Sequence, residues 1–255
     1  MSSTVGIVVP AYRPDIDQLR TYLQTLQETL APASIVVEID TPTDGVRDRL
    51  HSLPAQVHTV PYRRGKGAAI TAGFESLETD VLAFADADGS TPAAELAKVV
   101  AAVETGGADL AVGSRRHPDA EIASHQTFAR RFLGDAFAWL AGTLLSVSLY
   151  DYQCGAKAID AESWAQVRTH LYESGFAWDV ELIAIAGALG LRVEEVPIRW
   201  EDQPGSTVSP IGDSLALLKA LLATRHRAKR LSDNPLHTAI AAHRDDPTAL
   251  VERDR

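Results

Sequence analysis

The hydrophobic and polar positions of the chain follow two alternating patterns. Short runs rich in β-branched residues predict strands over residues 5–9, 33–39, 55–60, 80–85 and 108–114. Each run is followed by a loop and then by apolar residues at helical spacing. Nearly continuous apolar strands separated by helices are typical of a parallel sheet that is covered on both faces. The pattern therefore predicts an α/β fold with a mostly parallel central sheet and helices on both of its faces.

The segment over residues 92–104 has the clearest helix-start signals. Pro92 suits the first helical position, and Ser90 or Thr91 is the predicted N-cap. The second half of the chain predicts an amphipathic segment over 127–147, a helix over 177–189, a strand over 191–200 and a last helix over 211–230.

Ligands of parallel α/β sheets bind beyond the carboxyl ends of the strands. The residues that follow the five predicted strands are rich in polar or small types, at 10–13, 40–44, 62–67, 86–91 and 113–116. We therefore expect the chemistry of the protein in these loops.

Composition limits the classes of function. The 255 residues include 34 acidic and 24 basic ones, and the formal net charge of -10 argues against general nucleic-acid binding, which needs a basic face. Arginine dominates the basic residues, and its planar group suits bidentate contacts with phosphate. We expect one domain over residues 1–232, followed by a polar tail over 233–255.

The single cysteine and the apolar segments bear on the compartment. Cys154 has no second cysteine for a disulfide or a thiolate metal site, so we expect the cytosol. Residues 1–4 lack the basic segment of a signal peptide. The apolar stretch over 136–150 is too short to span a bilayer. A membrane substrate would be reached from the surface.

The strongest single signal is the pair Asp86 and Asp88, which follows the fourth apolar strand. Two carboxylates this close repel each other unless they share a cation. Mg²⁺ and Mn²⁺ prefer oxygen ligands and commonly complete their shell with substrate phosphates. The pair therefore indicates a metal site for a diphosphate-bearing donor. The alternative is an ordinary Asp-rich turn before the helix at Pro92.

The ordered motifs over residues 5–230 resemble a known family. They read VVPAYRP, RRGKGAAITAGF, FADADGST, GSRR, DYQCGAK and AWDVELIAIAGALGLRVEEVPIRW. The series is similar to the GT-A glycosyltransferases of family 2, and within them to the dolichyl-phosphate glucose and mannose synthases. The resemblance implies a Rossmann-like GT-A fold, a nucleotide-sugar donor, a dolichyl or polyprenyl phosphate acceptor, and Mg²⁺ or Mn²⁺. UDP-glucose is the favoured donor, followed by GDP-mannose.

The resemblance also implies which residues bind the donor. They are Pro10, Ala11, Tyr12, Asp40, Lys66, Gly67, Asp86, Ala87, Gln153, Lys157 and Arg199. Tyr12 would stack on the base or fill the sheet edge. Asp40 would accept from the base or ribose. Lys66 and Gly67 would let a turn close over the nucleotide, with the lysine near negative charge.

On the acceptor side the resemblance points to Arg115 and Arg131 as ligands of the lipid phosphate, with Arg116 and Arg130 as surface charges. Cys154 is interpreted as a packing residue and not as a nucleophile. Asp151, beside Gln153 and Lys157, would line the pocket.

Asp179 would point toward the sugar or acceptor. Glu181 lies roughly 200° around the helix axis from Asp179, so the two cannot face one site. Glu181 would support a neighbour or the helix dipole. Arg199 would contact the donor diphosphate or border the sheet.

The implied reaction is an inverting transfer by direct displacement. A phosphate monoester is already a competent anionic nucleophile near pH 7, so a dedicated general base is optional. Asp88, Asp179, Arg115 and Arg131 are the predicted catalytic residues. The competing hypotheses are a glycosyltransferase with a non-lipid acceptor, a soluble nucleotidyltransferase, whose glycine-rich signature is missing near the first strand, and a non-catalytic nucleotide-sugar binding protein.

The last helix offers a surface for a membrane. Leu215, Leu218, Leu222 and Ala223 share one predicted face, and Arg225, Arg227, Lys229 and Arg230 cluster near its end. Such a helix suits the headgroup layer, with basic residues near anionic lipid. The alternative is a core-facing helix with cations at its C-terminus. The first interpretation predicts a peripheral protein on the cytoplasmic face of the cell membrane.

Overall fold

The computed structural model describes residues 3–121, 128–200, 212–232, 234, 235, 237 and 247–253, with only the backbone described for 128–133 and 212–216. Its strands are β1 (Val5–Tyr12), β2 (Ser34–Asp40), β3 (Gln56–Val60), β4 (Val81–Ala85), β5 (Leu110–Ser114), β6 (Ala156–Asp160) and β7 (Val193–Pro197). The five strands predicted in the first half are confirmed as β1 to β5. The predicted strand over 191–200 is shorter, as β7.

The described strands form one seven-stranded sheet in the order β3-β2-β1-β4-β6-β5-β7. β6 is antiparallel to both of its neighbours, β4 and β5, and every other pairing is parallel. The mostly parallel sheet is therefore confirmed. The pattern analysis missed β6, whose short Ala-Lys-Ala-Ile-Asp sequence has a single β-branched residue.

The helices are α1 (Ile16–Leu30), α2 (Asp44–Arg47), α3 (Lys66–Phe74), α4 (Ala93–Glu104), α5 (Phe128–Leu144), α6 (Ala161–Val167), α7 (Trp178–Ala188) and α8 (Gly212–Leu231). The prediction that Ser90 or Thr91 caps α4 is wrong, because Pro92 is the N-cap and no side chain caps the helix. The carbonyl of Thr91 instead accepts a hydrogen bond from the Tyr22 hydroxyl at 2.8 Å.

Alternate residues of each strand pack into separate cores on the two faces of the sheet. Ile7 and Val9 of β1 pack with α1 and α4, whereas Val8 packs with α3, α6 and α7. This alternation follows from the two-residue period of a strand. Helices therefore cover both faces, as predicted. α7 is buried from Trp178 to Ala186 because it packs against both the sheet and α8.

Part of the predicted C-terminal tail is packed on the domain. The backbone N–H of Leu250 donates to the carbonyl of Leu171 at 2.8 Å, and Arg253 donates to the carbonyl of Tyr172 at 2.8 Å. Ala249 and Leu250 are buried. The described residues 247–253 therefore support the loop before α7, and the boundary at residue 232 stays a prediction.

Candidate active site

The Asp86–Asp88 turn lies where β4 ends, beside the start of β6. The backbone N–H of Asp86 donates to the carbonyl of Gly155 at 3.0 Å. A Cβ on Gly155 would lie 1.9 Å from Oδ2 of Asp86, so only glycine lets the carboxylate occupy this position. Asp88 is exposed, and its Oδ1 accepts from the N–H of Ser90 at 2.9 Å. The carbonyl of Asp88 accepts from Gln18 at 2.8 Å.

Four charged side chains form a connected group, which we call the charge cluster: Lys66, Asp86, Lys157 and Asp179. Nζ of Lys66 lies 2.9 Å from Oδ1 of Asp86 and 3.2 Å from Oδ2 of Asp179. The Lys157 ammonium lies 2.5 Å from Oδ1 of Asp179 and donates to the carbonyl of Cys154 at 2.8 Å. Asp86 is the most exposed member, at 33%, while Lys157 and Asp179 are buried.

The cluster changes the interpretation of three predicted site residues. Lys66 contacts two carboxylates, although it was expected to meet the negative charge of the donor. Asp179 was expected to point toward the sugar or acceptor, but its side chain is 2% exposed and accepts from two lysines. Lys157 was expected to line the pocket, and its ammonium is enclosed. Buried charges need partners, which explains why they pair with one another.

Burial and nearby charges shift the pKa of Lys66 in the charge cluster and of Tyr22 beside the Asp86–Asp88 turn. Burial acts to lower the pKa of Lys66, but Asp179 and Asp86 outweigh it and raise that pKa, so the lysine stays charged. Burial raises the pKa of Tyr22, with a further contribution from the negative charges of Asp86 and Asp88. The ring of Tyr22 also lies beneath the turn at Gly89, which the sequence analysis did not foresee.

Asp40, at the end of β2, organises the loop before α3. Its carboxylate accepts from Nε of Arg64 at 2.8 Å, from the N–H of Arg64 at 2.7 Å and from the N–H of Gly65 at 2.9 Å. Arg64 also pairs with Glu38 at 2.8 Å. Asp40 is thus held by contacts with its own chain, and its contact with base or ribose stays a prediction.

The glycines of this loop are explained by packing. Gly65 has a φ of 98°, a conformation that favours glycine. A Cβ on Gly67 would lie 2.4 Å from Cβ of Trp178 and 2.6 Å from the carbonyl oxygen of Glu173. Gly67 thus allows α3 to approach the start of α7, and its closure over a nucleotide stays a prediction.

The end of β1 presents an aromatic ring to solvent. Tyr12 is 41% exposed, and the guanidinium carbon of Arg63 lies 4.4 Å from the centre of its ring. Arg13 lies 5.2 Å from the same ring. Pro10 is half-buried and Ala11 is buried. Tyr12 is therefore exposed at the carboxyl edge of the sheet, with two guanidinium groups over its ring.

On the other side of the turn, Arg115 is fixed by Asp151. Nε of Arg115 donates to Oδ2 at 2.7 Å and Nη2 donates to Oδ1 at 3.0 Å, a bidentate pair. Burial acts to raise the pKa of Asp151, but Arg115 outweighs it and lowers that pKa. Glu195 orients this segment by accepting from the N–H of Asp151 at 2.8 Å. Arg115 is thus held rigidly beside β5.

The other predicted arginines occupy different positions. Arg116 pairs with Asp135 of α5. Arg131 and Arg130 lie in α5, and their side chains lie outside the described residues. Arg199 is exposed beyond β7, and its backbone N–H donates to Glu95 at 3.0 Å.

The remaining residues of the DYQCGAK motif are partly structural. Burial raises the pKa of Cys154 to about 12, and its thiol is enclosed, which agrees with a packing role. The N–H of Gln153 donates to Oδ1 of Asp151 at 3.0 Å, and the residue is half-buried. Ala87 is also half-buried, next to the Asp86–Asp88 turn.

Asp179 and Glu181 point to different neighbours, as the helix geometry predicts. Oε2 of Glu181 accepts from the N–H groups of Tyr172 and Glu173, both at 2.7 Å, and Oε1 accepts from Arg227 of α8 at 2.5 Å. Burial raises the pKa of Glu181, while Arg227 opposes this shift. Arg227 is therefore an internal partner of α7 and not part of a basic face toward lipid.

The apolar face of α8 is divided between core and solvent. Leu221 is buried, whereas Leu218 and Leu222 are 36% and 53% exposed. Ala223 is half-buried, and the side chain of Leu215 lies outside the described residues. On α5, Trp139 is 72% exposed. No helix within the described ranges is long and apolar enough to cross a membrane.

The carboxylates of the Asp86–Asp88 turn suit a divalent cation that takes its other ligands from substrate and water. Oδ1 of Asp86 already contacts a cationic group, the ammonium of Lys66, at 2.9 Å. Among the described residues, no group of three His, Cys, Asp or Glu side chains could hold a metal ion. Two carboxylates with phosphate oxygens and waters are an ordinary arrangement for Mg²⁺. The Asp86–Asp88 turn therefore fits Mg²⁺ or Mn²⁺ bound together with a diphosphate.

Comparisons with known proteins identify the family of the chain. The model of the family described as "Glycosyl transferase family 2" matches residues 6–137. Dolichyl-phosphate beta-glucosyltransferase of Mus musculus is 29% identical over 249 residues, which cover 88% of this chain and 75% of the relative. Undecaprenyl-phosphate mannosyltransferase of Micrococcus luteus is 30% identical over 205 residues, or 77% of this chain and 83% of the relative.

A longer relative and a solved structure complete the comparison. Glycosyltransferase AglD of Haloferax volcanii is 31% identical over 231 residues, and the match covers 86% of this chain but only 36% of the relative. Glucosyl-3-phosphoglycerate synthase from Mycobacterium tuberculosis, solved with Mn²⁺, UDP-glucose and phosphoglyceric acid, has a TM-score of 0.65 at 18% identity, covering 88% of this chain and 80% of that one. This likeness confirms the GT-A fold.

Proposed function

Because the chain belongs to glycosyltransferase family 2, we propose that it transfers a hexose from a nucleotide sugar to a dolichyl or polyprenyl phosphate, with inversion of the sugar configuration. UDP-glucose is the favoured donor, ahead of GDP-mannose. The relatives named for dolichyl-phosphate glucose transfer and undecaprenyl-phosphate mannose transfer support this acceptor class. The observation that carries the proposal is the Asp86–Asp88 turn, which contacts the charge cluster through Asp86, at the same edge of the sheet as the fixed arginine Arg115.

The donor would occupy the carboxyl edge of β1 and β4. The ring of Tyr12 is 41% exposed and would stack on the nucleobase once a guanidinium group over its face moves aside. Pro10 and Ala11 would border the base. Asp86 and Asp88 would hold Mg²⁺ or Mn²⁺, which would neutralise the charge of the leaving nucleoside diphosphate.

The acceptor phosphate would be held by Arg115. Asp151 accepts from Nε and Nη2 of this arginine, and no described residue accepts a hydrogen bond from Nη1. Nη1 is therefore suited to donate to a phosphate oxygen, while the bidentate pair keeps the guanidinium from rotating. Arg131 of α5 is proposed as a second phosphate ligand. The anionic phosphate oxygen would attack the sugar directly, without a general base.

We also propose that the protein works as a peripheral protein at the cytoplasmic face of the membrane. Trp139 of α5 and Leu218 and Leu222 of α8 are exposed apolar side chains. Exposed tryptophan and leucine are suited to the headgroup layer of a bilayer. A lipid acceptor would then be reached from the headgroup layer.

A partition assay tests the proposed reaction. The protein is incubated with Mn²⁺, polyprenyl phosphate and either UDP-[¹⁴C]glucose or GDP-[¹⁴C]mannose, and the organic phase is counted. We expect glucose label in the organic phase, loss of this label with EDTA, and loss in the Asp88→Ala variant. Label that enters a water-soluble product when 3-phosphoglycerate replaces the lipid, with none in the organic phase, would contradict the lipid acceptor.

A further inference from the structure

Lys66 contacts the carboxylate that the proposed function assigns to the metal. Its Nζ lies 2.9 Å from Oδ1 of Asp86, and the side chain is only 11% exposed. The ammonium also lies 5.1 Å from the centre of the Phe84 ring. An ammonium and a divalent cation are competing partners for one carboxylate. The positive charge of Lys66 therefore partly neutralises Asp86, as a bound metal ion would.

The charge cluster is balanced by its own members. Two ammonium groups, Lys66 and Lys157, face two carboxylates, Asp86 and Asp179. A divalent cation beside Asp86 would add positive charge next to Lys66, and like charges at short distance repel. Lys66 also stands at the start of α3, where the helix dipole disfavours a cation. A metal that arrives alone would thus meet an unfavourable environment.

The diphosphate of the donor removes this conflict. It adds negative charge at the same place, and a lysine ammonium with several free donor directions suits a phosphate oxygen. Oδ2 of Asp179 lies 3.2 Å from Nζ of Lys66. Asp179 can therefore keep its ion pair with Lys66 while the lysine exchanges Asp86 for a phosphate oxygen. Lys157 differs, because the ion pairs of the described residues join it to Asp179 and not to Asp86.

We propose that Lys66 is an internal counter-ion of Asp86, which moves to the donor diphosphate when metal and nucleotide sugar bind together. The inference rests on the proposed function, since it needs the metal site and the diphosphate. Lys66 makes the binding of metal and nucleotide mutually dependent: each binds weakly alone and tightly in the presence of the other. The site would then bind the metal tightly only when a nucleotide-sugar donor is present.

Mn²⁺ binding measured on the full chain by electron paramagnetic resonance tests this role. For the wild type we expect UDP to strengthen Mn²⁺ binding about tenfold or more. In Lys66→Met, Mn²⁺ alone should bind about tenfold more tightly than in the wild type, and the gain from UDP should shrink. Lys98→Met removes a positive charge from an exposed lysine of α4, so it should leave both values unchanged.

Two further variants keep the test possible if Lys66→Met does not fold. Lys66→Gln removes the charge but keeps a hydrogen-bond donor, and it should behave as Lys66→Met. Lys66→Arg keeps the charge and should bind Mn²⁺ alone as weakly as the wild type. Thermal denaturation identifies which variants are folded and therefore suitable for comparison.

The outcomes separate this inference from the proposed function. Weak Mn²⁺ binding by the wild type even with UDP would contradict the metal site itself. Tight binding with UDP, together with an unchanged affinity for Mn²⁺ alone in Lys66→Met and Lys66→Gln, would overturn the counter-ion role and leave the proposed function intact.

Discussion

Gly155 provides a sharp test of the Asp86 carboxylate, because a single methyl group would displace it. A Cβ at position 155 would lie 1.9 Å from Oδ2 of Asp86 and 2.3 Å from Cγ. An ordinary carbon–oxygen contact is about 3 Å or longer, so Gly155→Ala must move the carboxylate by roughly 1 Å. The change introduces no charge and removes no ligand.

The expected effect is large for catalysis and small for stability. A displacement of about 1 Å at a positioning group costs about 10²-fold in rate, or about 2.7 kcal/mol of transition-state stabilisation. The Asp86 side chain is 33% exposed and can turn toward solvent. We therefore expect the free energy of unfolding to fall by no more than about 1 kcal/mol.

The assay is glucose transfer to polyprenyl phosphate with Mn²⁺ titrated, accompanied by urea denaturation. Gly155→Ala should need more Mn²⁺ and should keep a low kcat/KM even when Mn²⁺ is abundant. Gly45→Ala is the matched control, since a Cβ there would have no atom within 4 Å. A folded Gly155→Ala protein with kcat/KM within twofold of the wild type would contradict the role of the Asp86 carboxylate.

Two buried side chains, Asp179 and Cys154, and two exposed leucines of α8 provide further tests. Asp179→Asn leaves Lys66 and Lys157 without their shared carboxylate and should lower the free energy of unfolding by about 3–5 kcal/mol in urea denaturation; a loss below about 1 kcal/mol would contradict the burial of this group. Because the pKa of Cys154 is raised to about 12 in the folded chain, from a reference value of 9.0, its thiol stabilises the fold below pH 9, and this contribution is lost as the pH rises toward 12. Iodoacetamide at pH 8 should therefore leave Cys154 unmodified until urea is added, and rapid labelling of the native chain would be the contrary result. The double change Leu218→Ser and Leu222→Ser should weaken co-sedimentation with anionic vesicles about tenfold or more at unchanged stability, whereas unaltered sedimentation would exclude these side chains from the membrane contact.

The order of strands and helices could be predicted because it depends on local patterns. β1 to β5 appear where the β-branched runs predict them, and α7 and α8 begin within one residue of their predicted starts. β6 was missed because its central position comes from pairing with β4 and β5, which are far away in sequence. Local propensity gives a weak signal for such a strand.

The sequence predicted where the candidate residues lie along the sheet, but not the contacts that their side chains make. The Asp86–Asp88 turn and Arg115 lie near the carboxyl edge of the sheet, as the position of the strands implies. The pairing of Asp179 with Lys66, in contrast, depends on how α7 packs against α3. The need for glycine at 155 likewise depends on the approach of β6 to β4. Only the three-dimensional arrangement provides these contacts.

The most direct test of the account is an anomalous difference map at the manganese edge, from crystals grown with Mn²⁺ and UDP-glucose. We expect one manganese peak in coordination contact with the carboxylates of Asp86 and Asp88 and with the diphosphate, and Lys66 turned from Asp86 toward a phosphate oxygen. A nucleotide bound elsewhere, or a metal that touches neither carboxylate, would contradict the proposed metal site.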